Sequence, residues 1–275
     1  MSRGKDLILS DLFPFDVRVD IRADKTLFDL DNANPSSRWD PTFWNPKFDE
    51  ALSEISSKYK MQTIGSLLNE PIIAPDHVRA SKGEKICSKY NVEYRTLKDL
   101  LFTGLNYAHI NYCSDNAYKR LKRTQLKVND ILFAGSGVGA IGRIGLVEKV
   151  IMKKSCVGDL FIIRNTKVNQ QYLYVYLLTE FGQIQIKKIF HGVQSAKIST
   201  KEIESLSVVI VPEIIQKHIE SSYKIIFSVH NKAMECRKSK NEKVYEKNMS
   251  KASAMLNELI EKTEDVIRGK QKDVI

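Results

Sequence analysis

The sequence predicts an α+β fold, in which a domain with a curved, mostly antiparallel sheet is followed by a long helix of the coiled-coil type. Two observations predict it. Between residues 61 and 211, short β-branched or aromatic runs alternate with turn-forming residues, and one helical pattern interrupts them. After Pro212 the apolar residues are spaced by three and four, which is typical of a helix that packs along one face.

The first 37 residues predict an N-terminal arm with one or two short extended pieces. The arm leads into a turn-rich joint at 31–41, DNANPSSRWDP, which holds two prolines, two asparagines and two serines. A helix is predicted next, at 45–60, because Asn45 can cap it and Pro46 suits the first helical position. Its apolar face consists of Phe48, Leu52 and Ile55.

The central segment predicts strands at the runs VEYRTL, DILFA, DLFIIR and LSVVIV. One amphipathic helix is predicted over 169–190, NQQYLYVYLLTEFGQIQIKKIF. We expect one face of this helix to pack against the sheet through Tyr172, Tyr174 and Tyr176. Pro212 ends the last strand.

The C-terminal segment predicts one long helix, because no proline follows Pro212 and only Gly269 interrupts it near its end. A helix of this length cannot bury a continuous apolar stripe on a small domain, so it should pack against another helix, from its own chain or another. We therefore expect a homodimer or a tight complex with a partner. The candidate contact positions are Ile215, Ile219, Ile226, Val229, Ala233, Leu256 and Leu259.

These patterns divide the 275 residues into an arm (1–37), a mixed domain (38–211) and a helical segment (212–275). The chain carries a net charge of +10, with basic clusters at YKRLKRTQLK, MKK and IKK. Such a surplus favours a polyanionic partner, although a basic solubilising surface gives the same composition.

The cysteines predict no metal site or disulfide. They are widely separated and form no C-x-x-C pair, which favours buried or unreactive thiols. The five histidines show no metal-binding spacing. No stretch approaches the roughly 20 apolar residues that span a membrane, and the N-terminus lacks the apolar core of a signal peptide, so a cytoplasmic protein is expected. The cysteines are Cys87, Cys113, Cys156 and Cys236.

A glycine-rich stretch at 130–145, DILFAGSGVGAIGRIG, matches the spacing of a dinucleotide fingerprint. A nucleotide site needs a helix directly after the third glycine, yet Gly145 would lie in the first turn of that helix. Residues 143–146 suit a strand leaving a tight turn better. The stretch also resembles an S-adenosylmethionine loop, but no tetrapeptide that orients a target amine is present: the nearest, NPSS at Asn34, lacks the second proline and the aromatic residue.

Several blocks, taken in order, resemble the target-recognition domain of specificity subunits from type I restriction–modification systems. The opening block is RWDPTFWNPKFDEALSEISSKYKMQTIGSLL. The central blocks are VEYRTLKDL and LKVNDILFAGSGVGAIGRIGLVE. The closing block is NQQYLYVYLLTEFGQIQIKKIFHGVQSAKISTKEIESLSVVIVPEIIQKHI. The resemblance covers about residues 38 to 275, and it rests on the order and spacing of the blocks together.

The resemblance implies that the glycine stretch is a hairpin of the recognition domain and that Asp130 fits its turn. The sequence departs from the family's pattern in one respect. A full-length member carries two recognition domains and two long helices, whereas this sequence shows one of each. It looks like a half-size subunit, two copies of which would recreate a twofold arrangement; a single-domain relative that serves another DNA-modifying system is the alternative.

The leading hypothesis is therefore a non-catalytic subunit that reads half of a split double-stranded DNA target and docks a methyltransferase (modification) subunit, possibly with a restriction subunit. The resemblance implies that S-adenosylmethionine and ATP are bound by the partners, so no cofactor is expected in this chain. Two alternatives stay open: a stand-alone S-adenosylmethionine-dependent methyltransferase that uses the Gly135–Gly142 loop, and a regulatory protein that pairs with a specificity subunit.

Candidate DNA contacts follow from the division of labour between phosphate and base contacts. For phosphate contacts we propose the basic residues Lys119, Arg120, Lys122 and Arg123, whose alternative role is a solvated charged face. For base contacts we propose residues of two turns, which we call the reading turns. They are Ser136 and Arg143 beside the glycine turn, and Gln194, Ser195 and Lys197 on the turn HGVQSAKIS.

Overall fold

The computed structural model of the chain describes residues 50, 52–55, 58–76, 92–137, 140–189 and 198–275. Within these ranges helices and strands are mixed along the chain, which confirms the predicted α+β class. The predicted arm and joint, most of the helix predicted at 45–60, Cys87, and the candidate contacts Gln194, Ser195 and Lys197 lie outside the described residues.

The described strands form four small sheets, where the sequence predicted one curved sheet. Five of the six strand pairs are antiparallel, and only β2 and β8 run parallel. The pairing is β1–β10, β5–β2–β8, β3–β4 and β7–β6–β9. The strands are β1 (Lys60–Thr63), β2 (Val92–Arg95), β3 (Leu100–Leu101), β4 (Gly104–Leu105), β5 (Asn111–Cys113), β6 (Ile131–Phe133), β7 (Ile144–Leu146), β8 (Ser155–Val157), β9 (Phe161–Ile163) and β10 (Ser207–Ile210).

The four runs predicted as strands all contain one: β2, β6, β9 and β10. Seven helices lie in the described ranges, together with two 3-10 turns at Leu97–Asp99 and Lys122–Thr124. The helices are α1 (Ile64–Leu67), α2 (Asp115–Arg120), α3 (Gln170–Leu178), α4 (Glu180–Ile189), α5 (Thr200–Ser205), α6 (Glu213–Lys238) and α7 (Glu242–Ile267).

The helix predicted over 169–190 is two helices, α3 and α4, which meet at Thr179. Thr179 has extended backbone angles (φ −63°, ψ 162°). Its hydroxyl donates to the Tyr176 carbonyl at 2.6 Å and accepts from the Gly182 amide at 3.3 Å, so one side chain satisfies groups of both helix ends.

Helix α3 is also not amphipathic, because every residue from Gln171 to Leu177 is buried. It lies at the centre of the main apolar core, between the sheets and the C-terminal helices. The tyrosine hydroxyls remain satisfied because they donate to strand or loop carbonyls: Tyr176 to Ser207 at 2.9 Å, Tyr174 to Phe102 at 3.1 Å, and Tyr172 to Val209.

The prediction of a single long C-terminal helix is wrong, because the chain turns back at Ser239–Asn241 and forms two helices. Lys240 adopts a left-handed conformation (φ 60°), and the Asn241 side chain caps α7 by accepting from the Val244 amide. His218 near the start of α6 bonds Asp273 beyond the end of α7, so the two helices run antiparallel. We call the α6–α7 pair the helical hairpin.

The apolar seam predicted along this segment is buried by the chain itself. Six of the seven candidate contact positions are buried between the helices and the domain core, and Val229 is half-buried. The buried six are Ile215, Ile219, Ile226, Ala233, Leu256 and Leu259. Because the apolar seam is not exposed, it does not by itself require a second chain to cover it. Homodimerisation stays a prediction.

Candidate nucleic-acid interface

The candidate phosphate contacts occupy one element of the structure. Helix α2 begins at Asp115, after Ser114, whose hydroxyl caps it by accepting from the Ala117 amide at 3.1 Å. An acid in the first turn and two bases in the last turn both suit the helix dipole. The 3-10 turn follows directly. The four predicted residues on these two elements, Lys119, Arg120, Lys122 and Arg123, are all exposed.

The inner face of α2 fixes the orientation of these bases. Ala117 and Leu121 are buried against Val92, Tyr94 and the two cysteines of the β5–β2–β8 sheet. Because the apolar side of the helix is held on this sheet, the basic side faces outward. The arrangement places several cations on a rigid support, as a phosphate-binding surface requires.

The loop 151–154 joins this surface. Lys154 forms an ion pair with Asp115 of α2 and lies over the Tyr118 ring, 5.9 Å from its centroid. Lys153 beside it is exposed. We call the exposed set Lys119, Arg120, Lys122, Arg123, Lys127, Lys153 and Lys154 the basic surface.

A buried carboxylate that the sequence analysis missed positions this loop. Glu93, only 1 % exposed, accepts hydrogen bonds from the amides of Ile151 (3.0 Å) and Met152 (3.2 Å). Its other oxygen binds Arg95 through the guanidinium Nε at 2.6 Å. The signal in the sequence was the pair of opposite charges inside the apolar run VEYRTL, at positions that face the same side of a strand.

Arg95 is itself buried and is satisfied on several sides. Its Nη1 donates to the Asn106 carbonyl at 2.6 Å, and the guanidinium lies 5.0 Å from the centroid of the Tyr107 ring. Asp99 lies 4.0 Å from the same Nη1. A buried charge of this kind is tolerated only when it is paired and hydrogen-bonded, so the cluster braces the sheet below the basic surface.

The glycine-rich stretch forms a hairpin, as the sequence predicted. β6 and β7 pair antiparallel, with Phe133 opposite Ile144, and a strand follows the glycines where a nucleotide loop would need a helix. Gly137 (φ 103°) and Gly142 (φ 80°) adopt conformations that side chains disfavour. Gly139 lies outside the described residues.

Ser136 and Arg143 flank this hairpin, and both are half-buried. A Cβ on Gly137 would lie 3.1 Å from Leu97, so the tip of the glycine hairpin contacts the turn that follows β2. Ile198 donates to the Gly135 carbonyl at 2.8 Å, which brings the residue after 190–197 against the same hairpin. The structure thus places Ile198 beside the glycine hairpin, which belongs to a different sheet from the one that supports α2.

A buried ion pair fixes the start of the hairpin. Both Asp130 oxygens bind Arg164, through Nε and Nη2 at 2.6 Å each, and one also accepts from the Lys127 amide at 2.7 Å. The Asp130 carboxylate raises the pKa of Arg164 above its ordinary value. Asp130 therefore closes the turn before β6, in agreement with the role that the resemblance implied.

The described cysteines form no disulfide. Cys113 and Cys156 are buried, with sulfurs 3.7 Å apart, and Cys236 is half-buried. The described residues contain no group of three His, Cys, Asp or Glu arranged to hold a metal ion. Among the described helices, none combines the length and the apolar character needed to cross a bilayer.

No protein-family model matches the sequence, and no curated protein matches it significantly. Solved structures do resemble the fold. One is the S subunit of a type I restriction–modification system from M. genitalium, at 14% identity and a TM-score of 0.44, with 68% of this chain and 44% of that chain covered. Another is the HsdS subunit from Thermoanaerobacter tengcongensis, at 13% identity and a TM-score of 0.44, with 82% and 50% covered.

A third is a structure solved to explain complex assembly and conformational transition of the type I R-M system. It shares 13% identity at a TM-score of 0.46, with 78% of this chain and 51% of that chain covered. The chain spans about half the length of the structures it matches.

Proposed function

We propose that this chain is a non-catalytic DNA-recognition subunit of a restriction–modification or related DNA-methylation system in the cytoplasm. It binds double-stranded DNA through the basic surface, reads half of a split target with the turns around Ser136 and Arg143, and docks a methyltransferase subunit. The cofactors of methyl transfer and of restriction belong to its partners.

The observation that carries the proposal is the basic surface itself. Exposed lysines and arginines stand on a capped helix whose other side is buried, and the Glu93 carboxylate holds the adjoining loop in place. Cations fixed in this way bind a regular array of phosphates at a lower entropic cost than mobile side chains would.

The glycine hairpin supports a reading role over a catalytic one. A dinucleotide or S-adenosylmethionine loop presents helix amides to its ligand, whereas here both ends of the loop enter antiparallel strands. A hairpin with glycines in left-handed conformations brings its backbone close to a partner, and neighbouring polar side chains such as Arg143 are then able to reach a groove.

The outer face of α6 supports docking of a partner protein. Ile214 and Ile225 are 57% and 60% exposed. They are eleven residues apart in the sequence, close to three helical turns, so they lie near one line along the helix. We propose this face for the methyltransferase subunit or for a second copy of the chain.

A titration of labelled duplex DNA against salt tests the DNA-binding role. The wild-type chain should bind with an affinity that falls steeply with salt, with log K changing by about 0.9 per phosphate neutralised for each tenfold change in salt concentration. The double variant Lys122→Glu with Arg123→Glu should weaken binding to all sequences alike and reduce the slope by about 1.8 or more. An affinity that does not change with salt would rule the proposal out.

Calorimetry with S-adenosylmethionine tests the non-catalytic role. The isolated chain should show no binding. Tight binding by this chain alone would instead favour a methyltransferase that uses residues 135–142. A lack of salt-dependent DNA binding, together with tight binding to a specificity subunit, would favour a regulatory protein.

A further inference from the structure

We infer that the turn end of the helical hairpin, residues 237–251, is a second contact for the DNA backbone, so that a duplex bound at the basic surface continues onto it. We call these residues the hairpin tip. The inference rests on the proposed function, and it adds a binding surface formed by helices outside the predicted recognition domain.

Charge is distributed unevenly along the helical hairpin. The hairpin tip holds six basic and two acidic residues, a net charge of +4. The rest of α6, residues 213–236, holds three lysines and three glutamates, which gives zero. The remainder, 252–275, holds four basic and five acidic residues, a net charge of −1. The positive charge is therefore confined to the end where the chain turns.

The lysines at this end form a stripe along α7. Lys243, Lys247 and Lys251 are spaced by four residues, lie on one side of the helix and are exposed. Lys240 in the turn is exposed as well. Like charges at this spacing repel, and cations at a helix N-terminus oppose the helix dipole. An anion bound along the stripe would relieve both effects.

The hairpin tip is attached firmly to the body of the protein. Tyr245 and Met249, on the inner side of α7, pack against the second apolar core with Ala233 and Met234 of α6. The Arg237 guanidinium donates to the Tyr245 hydroxyl at 2.9 Å and lies 4.7 Å from the centroid of its ring. The lysine stripe is thus presented on a packed support, as the bases of α2 are.

The loop 149–154 connects the hairpin tip to the basic surface. At one end Lys149 donates to the Asn231 side chain of α6, and its ammonium lies 4.9 Å from the centroid of the Tyr107 ring. At the other end Lys154 pairs with Asp115 of α2. These two lysines are five residues apart, which spans at most about 18 Å of chain.

The charges that act on Lys149 include one residue of the tip. Burial lowers the pKa of Lys149; Lys238 and Arg95 lower it further, while Glu235 and Glu93 act in the opposite direction. Lys238 belongs to the hairpin tip, so a cation of the tip acts on Lys149 at one end of this loop. A duplex of about 24 base pairs, roughly 82 Å long, is therefore long enough to lie on both surfaces.

The test neutralises tip lysines in the full-length chain. The variant Lys243→Gln with Lys247→Gln removes two cations from the stripe. The matched control, Lys270→Gln with Lys272→Gln, removes two exposed cations beyond the opposite end of α7. A helix of 26 residues separates the two sites by about 39 Å. Binding is measured by fluorescence anisotropy over a salt series, with duplexes of about 8 and about 24 base pairs, which are about 27 and 82 Å long.

On the long duplex the tip variant should reduce the salt slope by about 1.8 and weaken binding roughly tenfold at low salt, whereas the control should keep the wild-type slope. On the short duplex the tip variant should lose less of the salt slope, because about 27 Å of DNA covers less of the two surfaces at once. Circular dichroism should show unchanged helix content in both variants.

Two other outcomes overturn the inference and differ from each other. If the tip variant matches the control on both duplexes while Lys122→Glu with Arg123→Glu weakens binding, the basic surface binds DNA and the tip does not; an acidic protein partner would then account for the stripe. If the wild type itself shows no salt-dependent DNA binding, the proposed function fails and the tip contact fails with it.

Discussion

The imidazole of His230 joins the helical hairpin to the β3–β4 turn through its bond to Leu105. Nε2 lies 2.8 Å from the Leu105 carbonyl oxygen, which can only accept, so Nε2 carries the hydrogen. Nδ1 then accepts from the Thr103 hydroxyl at 2.7 Å. Both nitrogens are satisfied by the neutral ring, and a proton on Nδ1 would require the Thr103 hydroxyl to turn from donor to acceptor.

This geometry predicts that stability falls in mild acid. Burial of His230 lowers its pKa to about 4, from 6.5 in the unfolded chain, although the Leu105 bond acts in the opposite direction. Between these values the unfolded chain takes up a proton that the native ring does not. The contribution is therefore complete above about pH 6.5 and is lost as the pH falls to about 4, and it amounts to about 3 kcal/mol.

Urea unfolding at several pH values between 7.5 and 4 measures this loss. The variant His230→Gln cannot titrate, so the difference in free energy of unfolding between wild type and variant should shrink as the pH falls through the window. A difference that stays constant across the window would show that His230 is not the group responsible.

The helical hairpin makes a prediction that separates its inner and outer faces. Ile219 is fully buried in the core, so Ile219→Ala should lower the free energy of unfolding by about 2–5 kcal/mol. Ile225 on the same helix is 60% exposed, so Ile225→Ala should change it by about 0.5 kcal/mol or less. Equal effects in urea unfolding would contradict the observed packing of α6.

The same packing determines the effect expected from lysine substitutions on the apolar seam. Ile219→Lys with Ile226→Lys should unfold the helical hairpin itself, because both positions are buried within the chain. Circular dichroism should show a loss of helix, whatever the mass found by sedimentation. A folded monomer obtained from a wild-type dimer would restore the seam as an interface between chains.

Asp130 and Asp115 provide a matched pair of carboxylates. Asp130→Asn removes one partner of a buried ion pair, so it should cost about 3–5 kcal/mol of stability. Asp115→Asn removes an exposed pair with Lys154 and should cost about 1 kcal/mol or less. The urea midpoints of the two variants check the difference, and a small effect at Asp130 would mean that the Arg164 pair does not hold the turn.

The glycine hairpin should respond to added methyl groups through stability. Both Gly137→Ala and Gly142→Ala place a Cβ where φ is positive, and at Gly142 the new atom would lie 2.7 Å from Ile186. Each should lower the free energy of unfolding by roughly 1–3 kcal/mol. Unchanged stability with a loss of S-adenosylmethionine or nucleotide binding would restore the discarded fingerprint.

Local patterns predicted the features of this fold that depend on local residues. The β-branched runs at β2, β6, β9 and β10 became strands, and Gly145 correctly indicated a strand after the glycine loop. The exposure of the basic run at 119–123 also agrees with the sequence, because both roles considered for it, phosphate contact and a solvated charged face, require exposure.

The errors arose where no glycine or proline marks a break. Thr179 ends α3 with its hydroxyl, and Asn241 caps α7 after a left-handed lysine, so neither break carries a strong local signal. Glu93 supports the loop 151–154 through contacts with Ile151 and Met152, which lie 58 and 59 positions further along the chain. No local sequence pattern records contacts at that separation.

The tyrosines of α3 set the alignment of β10. Tyr172 and Tyr176 lie one helical turn apart and donate to the carbonyls of Val209 and Ser207, which are two residues apart on that strand. A slip of one residue would turn both carbonyls away and leave two buried phenols unsatisfied. The buried helix α3, and not the reading turns, therefore fixes the register of β10. Through β10 it also fixes the direction in which α6 starts after Pro212. If the proposed function holds, a change of target in the reading turns leaves the geometry between β10 and the helical hairpin unaltered.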